Sequence, residues 1–76
     1  MINKIINYIK EPYLKIIYFN NNVDIVNYDK ILEIKDDLVI ILANNKKIIV
    51  RGNNLKLSKL LDKEVLISGL INKIEM

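Results

Sequence analysis

The sequence predicts an all-β domain that follows a short N-terminal amphipathic helix. The chain has 76 residues, enough for a single domain spanning 1–76. Isoleucines near its start recur at helical spacing up to the only proline. Beyond that proline, short runs of Ile, Val, Tyr and Leu alternate with clusters of Asn, Asp and Gly about every eight residues, as all-β chains do.

The predicted helix occupies residues 1–11. Ile2, Ile5, Ile6 and Ile9 fall at positions i, i+3, i+4 and i+7, which is one stripe of a helix, and Pro12 prevents its continuation. A helix of about ten residues that contains β-branched side chains is marginal alone and needs a surface to lie on. The stripe therefore covers the domain's own core, a membrane surface or a groove of a partner.

The predicted β domain occupies residues 13–76. The run from Leu38 to Ala43 is apolar on both faces, which is typical of a central strand covered on both sides. Alternation later in the chain places six side chains in one core, namely Ile48, Val50, Leu55, Leu57, Val65 and Ile67. Strands are predicted near 13–19, 23–28, 31–35, 38–43, 46–51, 54–58, 64–68 and 70–75, with turns at 20–22, 36–37, 44–45 and 52–54.

A weak internal repeat, offset by 17 positions, aligns Val50 with Ile67 and Gly52 with Gly69. Two architectures fit this repeat. One is an antiparallel β-meander curled into a small barrel or sandwich, in which each glycine ends a strand at a bend. The other is a short β-solenoid with coils of about this length. We favour the meander because solenoids usually contain at least three repeats.

The composition excludes most catalytic chemistry. The chain has no Cys and no His, which removes zinc fingers, haem, iron–sulfur clusters and Ser-His or Cys-His catalytic pairs. Neither glycine belongs to a phosphate-binding loop, and the adjacent carboxylates Asp36 and Asp37 are typical of a solvated turn. We therefore expect no enzyme, with no catalytic, cofactor-binding or metal-binding residues and no cofactor.

A basic group in the second half of the sequence raises the alternative of a small β-barrel nucleic-acid-binding protein. The formal net charge is only +3, and every aromatic residue lies outside this group, whereas nucleic-acid surfaces usually interleave aromatic and cationic side chains. Lysines that protect strand edges explain the group more simply. Its members are Lys46, Lys47, Arg51, Lys56, Lys59 and Lys63.

No segment reads as a signal peptide or a transmembrane helix. The start of the chain lacks the continuous apolar region of a signal peptide. The longest unbroken apolar run, from Leu38 to Ala43, is far shorter than the roughly 20 residues that cross a bilayer. We expect a cytoplasmic protein.

A series of short signatures follows in one order: Asp24-Ile25-Val26-Asn27, Ile31-Leu32-Glu33-Ile34, the apolar run Leu38 to Leu42, Ile48-Ile49-Val50-Arg51-Gly52, Gly52-x-x-Leu55-x-Leu57-x-x-Leu60 and Leu66-Ile67-Ser68-Gly69-x-Ile71-x-x-Ile74. In this order and spacing, the series resembles the YabP/YqfC family of small sporulation proteins from endospore-forming Firmicutes. The resemblance covers Val23 to Met76, and Pro12 after an amphipathic helix is similar to the YqfC-like branch. Val26 departs from the Glu that those members often have.

This resemblance implies a non-enzymatic protein with a structural or adaptor role in spore formation. It implies protein–protein contacts, either in coat assembly or in support of a membrane-bound sporulation factor. The expected partner is a membrane-anchored sporulation protein. Self-association into a homo-oligomer is a second expectation, which follows from the small core of a 76-residue chain and not from the resemblance. The expected location is the cytoplasm, at the periphery of a membrane or of the spore coat. No site residues follow from the resemblance.

Overall fold

Six antiparallel strands form one sheet in the computed structural model, which describes residues 13–76. This part of the chain contains no helix, and the all-β prediction for it is confirmed. The predicted helix over residues 1–11 lies outside the described residues. The strands are β1 (Lys15–Phe19), β2 (Asn22–Val26), β3 (Lys30–Ile34), β4 (Leu38–Ala43), β5 (Lys46–Leu60) and β6 (Glu64–Glu75).

The strand order in the sheet is β1-β2-β6-β5-β4-β3. Strands β3 to β6 form the predicted meander, but β6 then pairs with β2 because the chain crosses from β2 to the opposite edge at β3. The solenoid alternative is wrong because every pairing is antiparallel. The barrel is also wrong, since β1 and β3 end the sheet without pairing to each other. All six strands belong to one open sheet, so the predicted sandwich of two sheets is not observed in residues 13–76.

The core lies on one face of this sheet. Five of the six side chains predicted for it are buried, and Leu57 packs against them. The same core cluster includes side chains of β2 and of β4, which are separated in the sheet by β6 and β5. Neighbouring strands lie about 4.8 Å apart, so β2 and β4 would be too far apart for their side chains to meet in a flat sheet. Their shared cluster therefore requires the sheet to bend across its own core.

Strand β4 is not the central, doubly covered strand that its apolar sequence predicts. It lies next to the edge strand β3, and only alternate residues are buried, including Val39 and Ile41. The side chains between them, Leu38, Ile40 and Leu42, are half-buried on the outer face. The prediction failed because an apolar run cannot distinguish cover by a second layer from partial cover by neighbouring side chains.

Two strands are much longer than predicted. Strands β5 and β6 run through Gly52 and Gly69, so neither glycine ends a strand and residues 52–54 are not a turn. The ladder between the two strands survives through register shifts at Arg51/Gly52, Asn53/Lys56 and Leu57/Lys59. Bulges of this kind bend a strand and increase its twist without ending its pairing. The eight predicted strands are therefore six.

Both glycines lie where the opposite strand of the β5–β6 pair leaves no room for a side chain. A Cβ atom at Gly52 would overlap the carbonyl oxygen of Leu70. At Gly69 it would lie 2.6 Å from the carbonyl oxygen of Asn54, and φ at Gly69 is 138°, a conformation that side chains rarely adopt. Only glycine permits this approach at either position.

The other predicted turns are confirmed. Asn20 and Asn21 have φ of 51° and 59°, and Asn44 and Asn45 have φ of 53° and 63°. Two consecutive residues with positive φ make a type I′ turn, whose twist matches that of the strands it joins. The 36–37 turn joins β3 to β4.

The 17-position repeat corresponds to an approximate two-fold rotation axis that relates the two halves of the domain. β4 pairs with the first half of β5 as β2 pairs with the first half of β6. The N–H of Gly52 donates to the carbonyl of Asp37 (3.2 Å), and the N–H of Gly69 donates to the carbonyl of Asn21 (3.3 Å). The eight largest fully buried side chains fall into four equivalent pairs: Val23 with Val39, Ile25 with Ile41, Ile48 with Val65, and Val50 with Ile67.

Replacing either glycine with alanine tests the close approach of the two strands. We expect Gly69→Ala to cost about 1–3 kcal/mol, because alanine is strained at that φ. Gly52→Ala should cost more, because its methyl group meets a backbone oxygen that cannot rotate away. Each kcal/mol should lower the Tm by about 4–8 °C in a domain of this size. Asn53→Ala, an exposed position in the same strand, is the matched control and should leave the Tm unchanged; equal melting of all three variants would contradict the close approach.

Candidate functional site

The described surface carries many exposed apolar side chains for so small a domain. Contiguous apolar patches on soluble proteins usually mark contact surfaces. Most of these side chains lie on strand edges or near strand ends, so the edges are the first place to examine. They are Tyr13, Ile17, Tyr18, Phe19, Leu32, Ile34, Leu60, Leu61, Leu70 and Met76.

The sheet has four free edges in the part that the structure describes. β1 and β3 end the strand order. The second half of β5 has no outer neighbour because β4 pairs only with residues 46–51, and the second half of β6 has none because β2 pairs only with residues 64–68. An unpaired edge can accept a strand from another chain unless it is interrupted or charged.

The β3 edge is interrupted and charged. Its register shifts between Ile31 and Glu33, so Leu32 is an extra residue that bulges out of the ladder. The Glu33 carboxylate lies 3.0 Å from the Lys35 ammonium, and the hydrogen bond between them raises the pKa of Lys35. A bulge together with an ion pair discourages the addition of a strand.

The free halves of β5 and β6 are charged as well. The β5 half carries Lys56 and Lys59 between register shifts. In β6, the Lys73 ammonium lies 3.2 Å from the Glu75 carboxylate, which Arg51 also contacts at 3.3 Å. The hydrogen bond from Lys73, assisted by the charges of Lys73 and Arg51, lowers the pKa of Glu75. Both edges therefore carry charged side chains that oppose strand addition.

The β1 edge has none of these protections. Its pairing with β2 shows no register shift, and Lys15 at its start is its only charged residue. Ile16 packs against the core, whereas Ile17, Tyr18 and Phe19 are 46, 54 and 67% exposed. β1 is thus the edge best suited to pair with another chain.

The hairpin between β1 and β2 defines which backbone groups of β1 are free. In a two-residue type I′ hairpin the residues that flank the turn form a hydrogen-bonded pair, here Phe19 with Asn22. Hydrogen-bonded and non-hydrogen-bonded pairs then alternate along the ladder. The backbone N–H and C=O of Ile17 therefore form hydrogen bonds with β2, whereas those of Ile16 and Tyr18 point away from it. The carbonyl of Asn21, which accepts from β6, agrees with this alternation.

An apolar groove of about 700 Å³ opens beside the start of β1. Its lining is mainly apolar, two lysines of β5 stand at its rim, and no acidic side chain from the described part of the chain lines it. Because Leu14 immediately precedes β1, the groove and the β1 edge are adjacent. The groove is lined by Leu14, Ala43, Asn44, Lys46, Lys47, Ile48, Ile49 and Met76. It can hold apolar side chains and attract an acidic flank.

The predicted basic group is not one patch. Lys46 begins β5, and Lys63 lies in the turn that follows it. A strand of 15 residues rises about 3.3 Å per residue, so these two lysines stand near opposite ends of the molecule, whose longest dimension is 44 Å. Of the aromatic residues within 13–76, Tyr18 and Phe19 lie on β1, which β2 and β6 separate from β5 in the strand order, and Tyr28 is buried with its hydroxyl 3.4 Å from the carbonyl of Leu61.

The backbone of Asp36 and Asp37, at the β3–β4 turn, has a structural role that the sequence does not reveal. The carbonyl of Asp36 accepts a hydrogen bond from the N–H of Leu55 (2.7 Å), and that of Asp37 accepts from Gly52. These bonds satisfy backbone donors left free by the β5 bulge. Among residues 13–76, no three Asp, Glu, His or Cys side chains are grouped closely enough to hold a metal ion.

A polar cluster on the outer face of β2 and β6 was not predicted from the sequence. The Ser58 hydroxyl donates to the Ser68 hydroxyl, which donates to Oδ1 of Asn22 (2.6 Å). Beside them, Oδ1 of Asp24 is buried without a hydrogen-bond partner in the described structure. The alternation of polar and apolar residues in β2 indicates an outer face, but only the pairing of β2 with β6 brings these side chains together.

Comparison of the chain with protein-family models, with curated proteins and with solved structures finds no match. No helix within residues 13–76 has the length and apolar character needed to cross a membrane.

The scattered cations predict only weak binding of nucleic acids. A polarisation titration with single strands, duplex DNA and RNA should show no submicromolar binding at physiological salt. A specific site would neutralise several phosphates, and its affinity would fall steeply between about 50 and 200 mM salt. Submicromolar binding at physiological salt that is lost in the Arg51→Gln, Lys56→Gln variant would contradict this expectation and favour the nucleic-acid-binding alternative.

Proposed function

We propose that the chain is a non-enzymatic structural or adaptor protein of spore formation that acts through protein–protein contacts. The apolar groove with its lysine rim is the observation that carries the contact part of this proposal. The family resemblance over Val23 to Met76 supplies the process, spore formation. The proposed location is the cytoplasm, at the periphery of a membrane or of the spore coat.

The groove suits a peptide segment of a partner protein. Its volume is within the range of about 300–1,000 Å³ that is usual for binding pockets. Leu14, Ile48 and Met76 provide apolar walls for one or two large side chains. Because apolar area is the main source of favourable free energy in such contacts, these walls would supply most of the affinity.

The rim of the groove defines the charge of that segment. Lys46 and Lys47 stand beside it and no Asp or Glu side chain among residues 13–76 lines it, so acidic residues next to the apolar anchors would complement it. We therefore propose as partner the cytosolic segment of a membrane-anchored sporulation protein, with apolar anchors flanked by Asp or Glu. Charge complementarity of this kind favours fast association and discriminates against basic segments.

Reversing the rim charges tests this proposal. The double variant Lys46→Glu, Lys47→Glu should weaken binding of the cytosolic segment by at least about tenfold, the effect of losing about 1.4 kcal/mol. The double variant Lys56→Glu, Lys59→Glu makes the same change in net charge on the same strand, remote from the groove, and should bind as the parent does.

Isothermal titration of the purified chain with the segment measures both variants against the parent. Circular dichroism checks that each remains folded. Equal weakening by both variants would indicate a general charge effect and contradict a docking site at the groove. Failure of the parent to bind any acidic, apolar cytosolic segment encoded beside its gene would overturn the proposed function.

A further inference from the structure

The unprotected β1 edge contrasts with its equivalent in the other half of the domain. The internal two-fold relates the β1–β2 hairpin to the β3–β4 hairpin, and their buried side chains correspond. The edge of β3 is bulged and carries an ion pair, whereas that of β1 is regular and apolar. Natural proteins usually block exposed apolar edges because such edges aggregate. Of the two equivalent edges, β3 is protected and β1 is not. This difference indicates that another strand pairs with β1.

We propose that the strand paired there is β1 of a second copy of this chain. The two β1 strands run antiparallel about a two-fold axis at Ile17, joining two six-stranded sheets into one continuous sheet. This inference goes beyond the proposed function and does not depend on it, since the groove at the rim lysines remains available for another partner.

The free backbone groups of β1 fit this arrangement. An axis at Ile17 places Ile16 opposite Tyr18 of the second copy, and these are the residues whose N–H and C=O point away from β2. Each such pair forms two hydrogen bonds in an antiparallel ladder. Ile17 is the middle residue of β1, so this axis also keeps all five residues of the strand in the ladder. An axis displaced along the strand leaves one end of β1 unpaired.

The side chains are self-complementary in the same register. On the outer face, Ile17 meets its own copy and Lys15 lies opposite Phe19, a favourable contact of a cation with an aromatic ring. The two Lys15 residues stand four positions apart, about 13 Å along the strand, so their charges do not face each other. Asp24, whose Oδ1 lacks a partner, lies on this face one strand inward, beside Ile17.

The arrangement closes as a dimer. A two-fold axis makes the contact isologous, so each copy uses its β1 edge once and leaves only blocked edges outside. The bulge at Leu32 and the Glu33–Lys35 ion pair oppose further addition at β3. The pair therefore has a definite mass, twice the 8.9 kDa of one chain.

Sedimentation velocity of the full chain alone, across a dilution series, tests the proposal. We expect the parent to sediment at the dimer mass. Ile17→Lys places two ammonium groups opposite each other at the axis and should raise the dissociation constant at least tenfold. Leu32→Lys is the matched control, because Leu32 is similarly exposed (42%, against 46% for Ile17) on the equivalent edge, and should remain dimeric.

Mixing Ile17→Lys with Ile17→Glu should restore the dimer, because opposite charges then meet at the axis; a merely structural defect would not be rescued in this way. Tyr18→Pro provides a second test that leaves residue 17 intact. The backbone N–H of Tyr18 points away from β2. Proline at this position therefore removes a donor to the second copy without removing a hydrogen bond of the β1–β2 hairpin. A monomeric parent at the highest concentration, or a Tyr18→Pro variant that stays folded and dimeric, would overturn the proposal.

Discussion

The close passage of β5 and β6 at their two glycines is the constraint on which the rest of this structure depends. Gly52 and Gly69 allow the two backbones to approach where any side chain would overlap a carbonyl oxygen. The bulges beside them bend both strands without ending the ladder. Because the bent hairpin carries β4 on one half and β2 on the other, it brings both sets of buried side chains into one core.

The interior of the domain is nearly symmetric and its exterior is not. Equivalent core positions hold Val or Ile in every pair, for example Ile25 and Ile41. On the outer face, equivalent positions diverge: Asp24 in β2 corresponds to Ile40 in β4. The edges diverge in the same way, with β1 open and β3 blocked. Core packing imposes the same requirements on both halves of the domain. A contact with another molecule constrains only the half that makes the contact.

Local features of the sequence predict most of the elements but not their arrangement. The Asn20–Asn21 and Asn44–Asn45 turns follow from residues that tolerate positive φ, and strands β1 to β4 follow from short apolar runs between such turns. The prediction that Gly52 ends a strand is wrong because a single sequence does not distinguish a glycine at a β-bulge from a glycine at a turn. The pairing of β6 with β2 and the lining of the groove join distant segments, which periodicity does not record.

The most direct test of the bent hairpin is NMR measurement of scalar couplings across hydrogen bonds in the isotope-labelled chain. The account predicts a coupling from the amide nitrogen of Gly52 to the carbonyl carbon of Asp37, and an equivalent coupling from Gly69 to Asn21, because both N–H groups donate to those carbonyls. Observation of both would establish the shared bend and its internal two-fold together. Rapid amide exchange at both glycines with neither coupling present, as expected if each glycine ended a separate short strand, would contradict it.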